Sequence, residues 1–274
     1  MNQTETKPLT TTSTLRRVLS SHLFFFTASM VLSIYILKSE SSLIAYWFKV
    51  ALSPINVFFH EGSHAIAAFL TGLEIKEFNV TWYSGHVVNT YNLDGSDNYS
   101  RIVTTFSGYL GTTLFGGLFF LFSFKNRKAF ILSLILIALI LTCFYDKIET
   151  LQTMSYVIIF LAVFLLPFKK SEKSVGEENS GKLRVSEIVD AVLSYLMRFI
   201  SVFLMMDSLV SPLNELSNGR GIDSKNLVNL LGGQQTYYVY IWMFVSFIFM
   251  SLICYLLYRK ELIKNKQLNE KIIR

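Results

Sequence analysis

Two histidines and a glutamate stand at a spacing that could serve a metal ion. They form the sequence His60-Glu61-Gly62-Ser63-His64. On a helix, side chains four residues apart project from nearly the same face, about 6 Å apart along the axis. Zinc in hydrolases takes histidine ligands and keeps one position open for water. The spacing therefore predicts that His60 and His64 share one Zn²⁺ ion.

Glu61 directly follows the first of these histidines and can reach a metal-bound water rather than the ion. We predict that it is a general base, which takes a proton as the water attacks a carbonyl and passes it to the leaving amine. Zinc lowers the pKa of such a water to about 7, so the nucleophile forms at neutral pH. The alternative is that the three side chains are merely solvated at the end of a helix.

A third ligand must come from elsewhere, and few acidic residues lie in apolar stretches. Asp207 does, and we predict it as the third ligand; the alternative is a carboxylate paired with Arg198 or hydrogen-bonded to a neighbouring helix. Asp223, in a polar segment, is a weaker candidate for the third ligand, and we interpret it rather as a helix cap. His86 could also be a ligand but is interpreted as a solvated strand residue, and His22 as an interfacial one.

Small residues recur in the apolar stretch 107–117. Such residues let helices approach closely in membranes, so this helix is predicted to pack beside the motif helix. Packing alone would explain the pattern. The further hypothesis is that the helix walls the site, with Gly108 and Gly111 binding the substrate.

The composition indicates a membrane protein. Apolar residues make up 52% of the chain and charged residues 16%, and the mean hydropathy is +0.44. The net charge of +6 comes from basic runs between apolar segments, which is typical of topology signals and not of a nucleic-acid-binding face. Cys143 and Cys254 both lie in apolar stretches, so neither a disulfide framework nor a cysteine metal site is expected.

A bilayer core needs about 20 mostly apolar residues per helix. The candidate segments are 18–37, 43–59 continuing into the motif, 102–124, 129–145, 151–168, 187–210 and 236–258. Because 129–145 and 151–168 are short and could form one hairpin, the count is six to seven. We predict an all-α, multi-pass membrane protein with residues 1–274 in one domain.

Four polar segments interrupt this pattern: a polar N-terminal tail at 1–17, a flexible loop at 169–184, a basic tail at 259–274, and residues 73–100. The last is rich in β-branched and aromatic residues and predicts a small β-hairpin or sheet at the membrane surface. The basic runs predict a cytoplasmic C-terminus in the cell membrane. They leave the orientation of the first half open.

Three stretches resemble the site-2 protease group of intramembrane zinc metallopeptidases, and most closely its compact peptidase-like branch. They are His60 to Gly72, Ser107 to Gly117 with its Gly-Tyr-Leu-Gly string, and Arg198 to about Asn226. The resemblance implies zinc on the motif histidines, Glu61 as catalytic base, and Asp207 completing the site. Better-known members carry that aspartate in a Leu-Asp-Gly string. The string occurs here at 93–95, where we interpret it as a hairpin turn.

The leading hypothesis is a zinc endopeptidase that cleaves membrane proteins or peptides in or beside a transmembrane segment. The substrate helix would have to unwind locally, and the hairpin could help by pairing with an extended strand. The alternative is a non-catalytic membrane protein of the same architecture that binds or regulates a partner. Substrate identity and oligomeric state do not follow from the sequence.

Overall fold

The computed structural model describes residues 22–39, 41–92, 95–122, 185–219 and 221–273. The predicted tail at 1–17, the segments at 129–145 and 151–168 and the loop at 169–184 lie outside these residues. The elements are α1 (His22–Lys38), α2 (Leu43–Leu70), β1 (Glu74–Val80), β2 (Gly85–Thr90), α3 (Asn98–Phe122), α4 (Val185–Ser217), α5 (Ile222–Leu231) and α6 (Gln235–Ile273).

Within the described ranges, four helical segments are long and apolar enough to cross a bilayer. They are Leu43–Leu70, Asn98–Leu121, Ser194–Ser217 and Gln235–Lys260. Helix α1 is apolar but has only 17 residues. The protein is therefore mostly helical, as expected, and its described residues include four candidate membrane-spanning helices; the predicted total of six to seven is not confirmed. The predicted basic tail from 259 continues α6 as helix to Ile273.

Helix α2, which carries the motif, has well-defined ends. The Ser42 side chain caps its start by accepting a hydrogen bond from the Ala45 backbone N–H, at 3.3 Å. At its end Leu73 N–H donates to Ala68 O at 2.9 Å, and Gly72 has φ +80°. This is a Schellman stop, which needs a left-handed residue after the helix. Gly72 therefore ends the motif helix.

The two strands form an antiparallel hairpin, with Glu74 opposite Thr90 and Val80 opposite Gly85. Phe78 and Val80 are fully buried in the core cluster shared with α2. The predicted β element is thus confirmed over 74–90, and it packs onto the motif helix. The polar segment predicted at 73–100 ends earlier than expected, because α3 already begins at Asn98.

A proline in α2 leaves a helix carbonyl free to bond the hairpin. Pro54 lacks a backbone N–H, so it cannot bond the carbonyl of Val50 four residues earlier. The indole Nε1 of Trp82, in the turn of the hairpin, donates to Val50 O at 3.1 Å. The orphaned carbonyl is satisfied, and the hairpin tip lies against the middle of α2.

Helix α3 packs extensively on both α2 and α4, whereas α2 and α4 make few direct contacts. A cleft therefore remains between α2 and α4 with α3 behind it. On the far side of α3, the hydroxyls of Thr113, Ser208 and Ser246 join α3, α4 and α6 by hydrogen bonds, and all three residues are buried. Such bonds satisfy polar groups that lipid cannot.

Candidate metal centre

Three side chains bring ligand atoms together at the end of the cleft. Nε2 of His60 lies 3.2 Å from Nε2 of His64 and 3.2 Å from Oδ2 of Asp223. Nε2 of His64 lies 3.3 Å from the same oxygen. Tetrahedral zinc, with bonds of about 2.05 Å, separates neighbouring ligand atoms by roughly 3.3 Å. The three atoms thus have the spacing and chemistry of one face of a zinc tetrahedron.

Helices α2 and α5 supply these ligands. The two histidines face the same way because they are one turn apart on α2. Asp223 lies in the first turn of α5, after a left-handed turn at Gly219, where φ is +65°. Leu227 of α5 is fully buried in a cluster with residues of α3 and α6. This packing holds Asp223 against the histidines.

The structure does not bring Asp207 to the two histidines. Its side chain lies in α4, where Oδ2 accepts a hydrogen bond from Asn56 Nδ2 at 2.7 Å and Oδ1 accepts one from Ser211 Oγ at 2.6 Å. That is the alternative considered for Asp207, a bond to a neighbouring helix. In the described part of the chain, the group able to hold a metal is His60, His64 and Asp223.

Asp223 was interpreted from the sequence as a helix cap, but the cap position of α5 is Gly221. The local sequence around Asp223 is polar, and this conceals its position beside the histidines. One signal could have located it. The glycines at 219 and 221 mark a sharp reversal before a short helix with an apolar residue at 227, and such a helix must return to the bundle to bury that residue.

The ring of His64 is held by its other nitrogen. Nδ1 lies 2.6 Å from the backbone carbonyl of Thr104 on α3. A carbonyl can only accept, so Nδ1 carries a proton and Nε2 is the nitrogen that faces the ligand group and can bind a metal ion. The ring of His60 packs edge-on against Tyr109, with centroids 4.5 Å apart. Both imidazoles are therefore oriented by α3.

A family model described as Peptidase M50B-like matches residues 27–253, which is most of the chain. The chain belongs to the Peptidase M50B-like family. The resemblance to site-2 proteases is thereby confirmed, and the family implies a membrane metallopeptidase. Searches among curated proteins and among solved structures found no match.

In this M50B-like chain, the two histidines favour the ionised form of Asp223. Burial by itself disfavours the charged carboxylate, but the neighbouring His64 and His60 outweigh it and lower the pKa of Asp223 below its ordinary value. An ionised carboxylate is the form that binds a metal ion. The two remaining histidines are not in the ligand group. His86 contacts Glu77 across the hairpin at 3.0 Å with an exposed ring, and His22 is the first residue of α1.

Glu61 lies beside the ligand group without belonging to it. Its side chain is 8% exposed and lines the same cavity as the ligands. A Cβ atom built on Gly85, the first residue of β2, would lie 2.5 Å from Glu61 Cγ. The hairpin therefore approaches the glutamate as closely as glycine allows.

The two glycines predicted to bind substrate pack against α2. A Cβ on Gly108 would lie 2.5 Å from His64 Nε2 and 2.7 Å from His60 Cε1, and a Cβ on Gly111 would overlap the Ser63 side chain. The predicted close packing of these helices is confirmed. A direct role of Gly108 and Gly111 in substrate binding stays a prediction.

The candidate ligands line a cavity of about 780 Å³, whose walls come from α2, α3, α4, α5 and the hairpin. Helix α2 contributes a polar row that includes Ser53 and Asn56, and α4 contributes Asp207 and Glu215. The facing wall is strand β2. The cavity is large enough for a stretch of peptide, because ligand pockets span about 300–1,000 Å³.

Proposed function

We propose that this chain is a zinc-dependent endopeptidase that hydrolyses peptide bonds in or near transmembrane segments of membrane proteins. The observation that carries the proposal is the clustering of His60, His64 and Asp223 ligand atoms within 3.2–3.3 Å of one another, with Glu61 beside them. The ligands stand on a candidate membrane span and on the helix that returns to it. Ionisable residues at such positions are costly and mark function.

Two imidazoles and one carboxylate form a ligand set that zinc accepts in hydrolases. Zinc bound there would polarise the scissile carbonyl and lower the pKa of a water molecule to about 7. Glu61 takes a proton from the attacking water and delivers it to the nitrogen of the leaving amine as the peptide C–N bond breaks. His64 keeps its Nε2 directed at the site because Thr104 O holds its Nδ1 proton.

A transmembrane helix hides its carbonyls in internal hydrogen bonds, so the substrate must reach the centre locally unwound. Strand β2 supports such a mode of binding. It lines the cavity and belongs to a two-stranded sheet, so one of its edges is not used by β1. An extended substrate segment could pair with that edge, as in β-strand addition.

We also propose that the C-terminus is cytoplasmic in a cell membrane. Helix α6 leaves its apolar span at Lys260 and continues to Ile273. The segment 259–274 carries more basic than acidic residues, and cytoplasmic flanks of spans are enriched in lysine and arginine.

The test is cleavage by detergent-purified, zinc-loaded protein of single-span reporters whose transmembrane segments carry a central helix-destabilising Asn-Gly pair. We expect cleavage by the wild type and by Glu77→Gln, a control on the hairpin, and none by Glu61→Gln. Zinc content should be the same in all three. Cleavage by Glu61→Gln would contradict the mechanism. Wild-type protein that neither retains zinc after loading nor cleaves the reporters would favour the alternative, a non-catalytic binding or regulatory protein.

A further inference from the structure

Asn56 stands one helical turn before the first metal-binding histidine. It is four residues from His60 on α2, so the two side chains share a face about 6 Å apart along the axis. Both line the cavity next to the candidate metal centre. A ligand held at the histidines and extending along α2 in that direction would meet the Asn56 carboxamide next.

The orientation of this carboxamide is fixed by α4. Asn56 Nδ2 donates to Asp207 Oδ2 at 2.7 Å, and Ser211 Oγ donates to the other oxygen of the same carboxylate at 2.6 Å. A carboxylate can only accept, so the amide must present its nitrogen to Asp207. Asp207 is 6% exposed. It acts as a positioning residue that leaves Asn56 Oδ1 directed away from it.

Asn56 Oδ1 has no hydrogen-bond partner within the described residues, although the atom is buried. Leaving a buried acceptor unpaired costs free energy, so structures rarely keep one without a use. The partner it needs is a donor that enters the cavity. A peptide backbone supplies such a donor at each N–H group.

We propose that Asn56 Oδ1 accepts a hydrogen bond from a backbone N–H of the substrate about two residues from the scissile peptide bond. An extended chain advances roughly 3.3–3.6 Å per residue, so the offset of about 6 Å between His60 and Asn56 spans about two residues. Residues two apart in a strand also present the same side. The site would thereby recognise the unwound backbone of the substrate and not a particular side chain.

This inference rests on the proposed function, and peptidyl hydroxamates test the two separately. The hydroxamate group binds the metal and fixes the register. One matched pair of compounds would extend from the hydroxamate toward the N-terminus, and a second pair toward the C-terminus. The two members of each pair would differ only at the second residue, where one has an amide N–H and the other an ester oxygen. Dissociation constants would be measured by thermophoresis on zinc-loaded, detergent-purified protein, with acetohydroxamate as the probe of the metal centre alone.

In the wild type we expect the amide member of one pair to bind about fivefold more tightly than its ester, the size of one net hydrogen bond. Asn56→Ala should abolish this preference while keeping zinc and acetohydroxamate binding. The matched control is Asn218→Ala, because Asn218 is an exposed asparagine just past the end of α4; it should retain the preference.

Equal binding of amide and ester in both pairs by the wild type would overturn the inference and leave the metal centre standing. So would a preference that persists in Asn56→Ala or disappears in Asn218→Ala alone. Failure of zinc-loaded wild type to bind acetohydroxamate would overturn the proposed function, and the inference with it.

Discussion

Nε2 of His60 lies 3.2 Å from Oδ2 of Asp223, a residue 163 positions further along the chain. The contact joins the motif helix to a short helix that is not itself a candidate span. Because α5 packs on α3 and α6, the candidate third ligand is positioned by helices that carry none of the candidate ligands. The candidate metal centre therefore depends on the folded bundle as well as on the motif.

Substitutions at the two aspartates should separate their roles. Asp223→Ala removes a ligand, so we expect zinc affinity to fall by at least about 100-fold, since changes even in second-shell groups cost 10–100-fold. Asp207→Ala should retain about one zinc per chain, because its carboxylate contacts Asn56 and Ser211. Zinc per chain by inductively coupled plasma mass spectrometry would decide. If Asp223→Ala retained zinc and Asp207→Ala lost it, Asp207 would be the third ligand, as predicted from the sequence.

The motif helix and the hairpin could be predicted because their signals are local. The histidine spacing, the Gly72 stop and the β-branched residues after it each describe only a few neighbouring positions. The third ligand could not be predicted in this way. Asp223 lies in a polar local sequence, and it reaches the histidines only because α5 packs on distant helices. Asp207 lies in an apolar stretch, which suggested a metal ligand, but its carboxylate accepts hydrogen bonds from Asn56 and Ser211 instead.

Gly108→Ala should weaken metal binding without unfolding the bundle. The added methyl group would lie 2.5 Å from His64 Nε2, so the imidazole must move away from the ligand group. We expect zinc affinity to fall on the order of 10–100-fold, as for other changes that misorient a ligand. Leu114→Ala on the same helix is the control, because Leu114 is 46% exposed. Competition with a chromogenic chelator would measure both, and unchanged affinity in Gly108→Ala would refute this account of the glycine.

The C-terminal end of α6 should be cytoplasmic. An epitope tag placed after Arg274 is expected to resist protease added to intact cells and to be digested once the membrane is permeabilised. The physical reason is the basic segment from 259 to 274, which is retained on the cytoplasmic side. Immunoblotting measures the outcome. Digestion of the tag in intact cells would reverse the proposed orientation.

The bond between Trp82 and the Val50 carbonyl should stabilise the protein only while Pro54 is present. Trp82→Phe removes the indole donor of the Val50 carbonyl, which we expect to destabilise the protein by about 1 kcal/mol, the size of one net hydrogen bond. Pro54→Ala restores an amide N–H that can bond Val50 O within the helix. Trp82→Phe should then cost less in the Pro54→Ala background, and thermal unfolding of the four proteins in detergent would measure the difference. Equal costs in both backgrounds would show that the indole acts through packing alone.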